Sequence, residues 1–221
     1  MIVTEIFNGE KTEYFMFNGK IEGIYKKYYK DGNLQVISNY IDNKREGEFI
    51  AYWHTRNIVI EKCYFINGNR EGKSIEYDIF SNITGIYNYK NNKLDGITKL
   101  YWDNGLINKI CNYKNNKLEG EYKEYHRNGQ LHKICNYEND KKNGGYKEYY
   151  ENGKLREMCN YKNDKKEGEY KEYYSNGQLL LICNYKNDKL DGKFKLYNEY
   201  GEIYRICNYK NGLVCNKCAI L

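Results

Sequence analysis

One pattern of 24 residues is written eight times in this chain. Residues 119–142 read EGEYKEYHRNGQLHKICNYENDKK, 143–166 read NGGYKEYYENGKLREMCNYKNDKK and 167–190 read EGEYKEYYSNGQLLLICNYKNDKL. The frame extends upstream to 95–118, 71–94, 46–70 (one residue longer) and 22–45, and downstream to 191–212. Residues 1–21 read as a degenerate N-terminal half repeat or cap, 22–212 as the array, and 213–221 as a flexible C-terminal tail. A fixed period of this size excludes one central core, because each repeat touches only its neighbours and stability becomes a nearest-neighbour sum.

Positions are numbered 1 to 24 within a repeat. Position 2 is Gly in all eight copies, including Gly120, Gly144 and Gly168, and position 7 is Tyr in all eight, including Tyr125, Tyr149 and Tyr173. Position 19 is Tyr in seven (Tyr137, Tyr161 and Tyr185 among them) and Phe65 in the other; position 17 is Cys in six. These columns account for much of a composition with 27 Tyr, 20 Gly, no Pro and a mean hydropathy of −0.96. With so few aliphatic residues, a helical bundle or a layered α/β enzyme is excluded, and the aromatic content is too high for disorder.

Each repeat reads as a β-hairpin. Gly-x-Tyr-Lys-x-Tyr-Tyr forms the first strand, Asn-Gly (128–129, 152–153, 176–177) the type I′ turn, and the run from Leu131 to Tyr137 the second strand. Alternation breaks between Leu131 and the Ile134-Cys135 pair, where a bulge would fit, so the facing of those positions stays open. The position 2 glycine is expected to let an aromatic ring of the adjacent strand lie on the backbone. A lone hairpin is marginal in water, so the hairpins must stack. The expected fold is all-β, an elongated single-layer antiparallel meander or solenoid of about eight hairpin repeats.

Gly-x-Tyr-Lys-x-Tyr-Tyr-x-Asn-Gly, followed by Asn-Tyr and a turn ending in Glu/Asp-Gly, resembles MORN repeats. It is most similar to the 24-residue variant of YwqK-like antitoxin proteins and giant-virus proteins. The resemblance covers 22–212 and implies a non-enzymatic scaffold, dimerisation module or membrane-associated platform. Similarity to the antitoxin group implies an alternative, an immunity-type inhibitor that binds a toxin without lipidation.

Chemistry is sparse. No phosphate loop, nucleophile elbow or zinc-protease motif occurs, and no cofactor or metal is expected. Cysteines one repeat apart would lie about 10 Å apart, too far for a shared disulfide or zinc, so position 17 reads as a small apolar filler. Of the three histidines, His126 and His132 flank one turn and could face each other. The net charge of +6 is spread thinly over the repeats, which makes nucleic acid a minor partner. Position 5 carries Lys123, Lys147, Lys171 and Lys195, a candidate row for a protein partner or anionic lipids, with tyrosine rows beside it to form a groove. Position 1 is acidic in seven repeats and reads as part of a solvated face.

The tail reads Cys215-Asn216-Lys217-Cys218-Ala219-Ile220-Leu221. It resembles a geranylgeranylation box at Cys218, with Cys215 as a candidate acyl site. Without a signal peptide or an apolar run of about 18 residues, a cytoplasmic protein with reduced thiols is expected, held at the cytosolic membrane face if prenylated. Homo-oligomerisation is a further expectation.

Overall fold

The computed structural model describes residues 1–55, 57–215 and 218–220. These hold 23 strands and no helix, paired antiparallel as a hairpin meander. The chain divides into two compact units, one of Met1–Ile107 with Tyr113–Asn116, the other of Asn108–Asn112 with Lys117 onward. Within each, a repeat contributes two strands, such as Lys117–Tyr125 and Leu131–Glu138, then Lys141–Tyr149 and Leu155–Lys162.

The two kinds of turn differ from expectation. At Asn128-Gly129 only the glycine has positive φ, at 85°. Gly129 N–H donates to His126 C=O at 2.9 Å, and the Asn128 carboxamide oxygen accepts from Gln130 N–H at 2.9 Å. The side-chain bond holds Asn128 out of the left-handed region, so this is a wider turn with a left-handed glycine. The type I′ geometry lies at the other end of the hairpin. Asn139 and Asp140 have φ of 50° and 67°, and Asn163 and Asp164 have 50° and 65°. Asn and Asp tolerate that region better than other residues with a Cβ.

Two bulges per repeat set the facing. Glu124 pairs with Lys133 but Tyr125 with Leu131, which leaves His132 as the extra residue. This is where alternation breaks in the sequence. The second bulge falls at position 2: Cys135 pairs with Tyr146, but Tyr137 with Lys142. Gly120, Gly144 and Gly168 have φ of 80°, 100° and 79°. A Cβ at Gly120 or Gly168 would meet nothing within 4 Å. The glycine column therefore answers a backbone angle rather than an aromatic ring laid on it.

The resulting faces are unlike. One carries positions 4, 17, 19 and 24. Tyr122 pairs with Cys135, Tyr146 with Cys159 and Tyr170 with Cys183, and all six are buried. Position 19 rings pack beside them, with Tyr122 and Tyr137 centroids 5.3 Å apart. Position 24 cations cover the rings: Lys166 Nζ lies 4.3 Å from the Tyr170 centroid and 5.4 Å from that of Tyr185. Lysine stems and ring faces thus stand in for a second layer. Burial drives the Cys159 and Cys183 thiols up to about 11, so they stay protonated and inert. Nor are the central tyrosine hydroxyls left to water. Tyr146 donates to Glu148 at 2.7 Å, Tyr170 to Glu157 at 2.7 Å, and Tyr122 to Glu124. Burial alone would raise the Glu124 carboxyl, but Lys133 at 2.7 Å and the Tyr122 hydroxyl hold it below its ordinary value.

Side chains at both kinds of turn stitch one repeat to the next. Asp140, Asp164 and Asp188 each accept the backbone N–H of position 24 in the preceding repeat at 2.6–2.7 Å, from Leu118, Lys142 and Lys166. Their own N–H groups return to the carbonyls of the same residues at 3.0–3.1 Å. The acidic position 1 has a matching structural role. All seven carboxylates, from Glu22 to Asp191, accept the N–H of the first turn residue of their own repeat at 2.7–3.2 Å. Asn143, the exception, donates to Glu138 instead. At the opposite turns, the hydroxyls of Tyr29, Tyr150 and Tyr174 donate to the carbonyls of Tyr52, Tyr173 and Tyr197 in the next repeat at 2.7–2.9 Å.

Candidate interaction face

The face opposite the cysteines carries the lysine row. In the second compact unit, register aligns Lys123, Ile134, Lys147, Met158, Lys171, Ile182, Lys195 and Ile206 as successive cross-strand partners. Lysine alternates with an aliphatic residue on every strand, so ammonium groups recur every two strands, about 10 Å. The first compact unit has the same kind of row with fewer charges: Lys26, Ile37, Ile50, Lys62, Ile75, Ile86 and Lys99. Aliphatic members and lysine stems together make an apolar strip with charged tips.

Position 7 lies beside this row. Tyr125, Tyr149 and Tyr173 pair with Leu131, Leu155 and Leu179, and the Tyr173 hydroxyl lies 4.0 Å from Met158 Sδ. Tyr137, Tyr161 and Tyr185 do not join them, because position 19 belongs to the cysteine face. The tyrosine row beside the lysines is that of position 7, with leucine paired to it.

Charge along the row is uneven. Lys123 Nζ meets Glu121 at 2.6 Å and Lys171 Nζ meets Glu169 at 2.5 Å. These hydrogen bonds raise both ammonium pKa values. Position 3 is Gly145 in the next repeat and Lys193 in another. Among the described residues, Lys147 and Lys195 form no ion pair. The sequence shows this pattern once positions 3 and 5 are known to share a face.

His126 and His132 do come together, with ring centroids 4.3 Å apart. His126 Nε2 lies 2.9 Å from Tyr149 C=O, and the His132 ring is 3.7 Å from Glu148. Among the described residues no cluster of three His, Cys, Asp or Glu is placed to hold a metal ion.

In the tail, Leu213–Val214 and Ala219–Ile220 are strands paired with Ile203–Lys210. Cys218 is bonded to Cys207, with Cα atoms 4.6 Å apart. Adjacent antiparallel strands bring non-hydrogen-bonded pairs to about this separation, so register explains the contact. In this structure the Cys218 sulfur, which prenylation would require as a free thiol, is bonded to Cys207. Cys215 is free and exposed. Asn216, Lys217 and Leu221, which complete the tail motif, lie outside the described residues.

The model of the family described as MORN repeat variant matches residues 18–42, 94–115, 118–139, 142–163, 166–187 and 190–211. No curated protein matches the chain. Among solved structures, a TcdB2–TccC3–Cdc42 complex is 13% identical with a TM-score of 0.22, over 90% of this chain and 13% of that one. A porin-like protein from Bacteroides uniformis is 7% identical with a TM-score of 0.22, over 98% and 91%. A Photorhabdus luminescens Tc holotoxin pore is 12% identical with a TM-score of 0.21, over 93% and 14%. The chain thus spans about an eighth of the first of these, and scores this low carry no argument. The family model covers more than half of the chain, and its six segments fall on the structural repeats: this protein belongs to the MORN repeat variant family.

Proposed function

We propose that the chain is a non-enzymatic interaction scaffold whose lysine–aliphatic row receives an acidic protein surface. Repeats of this family mediate contacts with proteins and membrane lipids. The observation that carries the reading is the row itself. It places aliphatic side chains, tyrosines and two lysines without an acidic neighbour on one face, while the other face is occupied with its own packing. Aromatic residues beside apolar ones are favoured at protein interfaces, and charge selects the partner. Anionic lipid headgroups offer similar charge and form the second reading. A lipid tether at Cys218 would need that sulfur released from Cys207.

The test compares poly-glutamate with vesicles of phosphatidylserine and phosphatidylcholine, each at low and high salt. Salt-sensitive binding to poly-glutamate supports the protein reading. Binding to anionic vesicles alone supports the lipid reading. Binding to neither overturns both.

A further inference from the structure

We propose that Cys207 and Cys218 form a redox clasp, a reversible disulfide that fastens the strand Ala219–Ile220 to the array. Residues 213–215 and 218–220 continue the repeat in register beyond Gly212. Leu213–Val214 pairs with Lys210 and Tyr209 as Lys189–Leu190 pairs with Lys186 and Tyr185. Cys215 N–H donates to Asn208 C=O at 2.8 Å as Asp191 N–H donates to Asn184 C=O at 2.9 Å. Ile206 pairs with Ala219 as Ile182 pairs with Lys195. Cys218 therefore stands at position 4 of a ninth repeat, the place held by Tyr146, Tyr170 and Phe194 in others.

Where another position 17 cysteine meets the next repeat, as Cys135 meets Tyr146, position 4 of that repeat is aromatic or a small polar residue. Only here does it face a second sulfur. Cys63, Cys111, Cys135, Cys159 and Cys183 are buried. The Arg205 guanidinium donates to Cys218 Sγ at 3.3 Å, a contact that favours the thiolate when the bond is open. The reactive sulfur chemistry is thereby confined to this end of the array.

Closing the clasp joins Cys207 Sγ to Cys218 Sγ, and each thiol loses its proton. The two electrons pass to glutathione disulfide, whose own bond breaks to give two glutathione thiols. Opening is the reverse exchange with glutathione. A two-residue strand has little hold of its own. The bond spans 11 residues, and closing a loop of that size favours the docked tail by about a hundredfold. Opening frees the strand Ile203–Lys210 along the edge that Ala219–Ile220 covers.

The experiment equilibrates the whole chain in glutathione buffers of graded poise, then reads disulfides by peptide mapping and amide exchange by mass spectrometry. The Cys207–Cys218 peptide is expected to track the poise. Exchange at Ala219–Ile220 should slow about a hundredfold on oxidation in the wild type and stay fast in Cys218→Ser. Cys207→Ser must match Cys218→Ser, and it copies a tolerated state, since Ser38 is buried at the same repeat position. Pairing of Cys218 with Cys215 instead, or tail exchange that ignores the poise, overturns the proposal.

Discussion

Gly144 and Gly145 are neighbours in sequence and opposites in conformation. Gly144 has a φ of 100°, while Gly145 lies outside the positive region. Space does not separate them: an added Cβ comes no nearer than 3.9 Å to another heavy atom at either site. Alanine at 144 must hold a left-handed backbone at a cost of about 1–2 kcal/mol, with no contact to offset it. Alanine at either site also stiffens the unfolded chain, a gain of about 0.4–1 kcal/mol. That term is common to Gly144→Ala and Gly145→Ala, so their difference isolates the strain. Gly145→Ala should be neutral or slightly stabilising, and Gly144→Ala less stable than it by about 1–2 kcal/mol. Urea unfolding followed by circular dichroism measures this, provided the slope m is the same in both variants. Equal midpoints would refute the claim that backbone angle fixes the glycine column.

Other substitutions probe the stitching and the buried groups. Asp164→Asn should change stability little, because Asn92 and Asn116 accept the equivalent N–H groups of Arg70 and Leu94. Asp164→Ala should lose about 2 kcal/mol by urea unfolding, from the lost hydrogen bond and the strain at φ 65°. Tyr174→Phe removes a 2.9 Å bond to the next repeat and should cost about 1 kcal/mol, seen as faster amide exchange around Tyr197. Alkaline titration should weaken the array. Burial raises the thiols of Cys63, Cys159 and Cys183 from 9.0 to about 11, so the folded chain holds protons that the unfolded chain releases. The associated stability is full below pH 9 and is lost as pH climbs to about 11, visible as a falling urea midpoint over that window. A midpoint that does not change there would show that the thiols are solvated.

The repeat, the strand order and the bulge near His132 were legible because period and broken alternation are local signals. Roles that depend on a partner 20 or more residues away were not. The position 1 acids read as a solvated face, yet Glu119 and its equivalents cap turn N–H groups that come into reach only when both bulges are in place. Asn-Gly pointed to a type I′ turn at 128–129, but the Asn128 side chain, bonded to Gln130 N–H, selects another geometry. One repeat reverses its packing pair. Ser74 faces Tyr87, with the large residue moved to position 17, and the Tyr87 hydroxyl still reaches Glu76 at 3.1 Å. Gly85 makes this fit, since a Cβ there would meet the Tyr87 ring at 2.6 Å. Substitution at position 17 was thus visible, but its compensation across the strand pair was not. Cys218 matches a motif by sequence and stands at position 4 by register, and only the pairing of Ile206 with Ala219 reveals the second.

The face assignment has its most direct test in charge reversal at two pairs of lysines. Lys147→Glu with Lys195→Glu alters the row; Lys162→Glu with Lys186→Glu alters exposed strand ends and leaves net charge equal. Affinity for poly-glutamate is measured for both at low salt. Surface pairs contribute up to about 1 kcal/mol each, so the first variant should bind about tenfold more weakly than the second. Equal weakening in the two variants would contradict the account, because it would make the attraction a property of net charge and not of the lysine–aliphatic row.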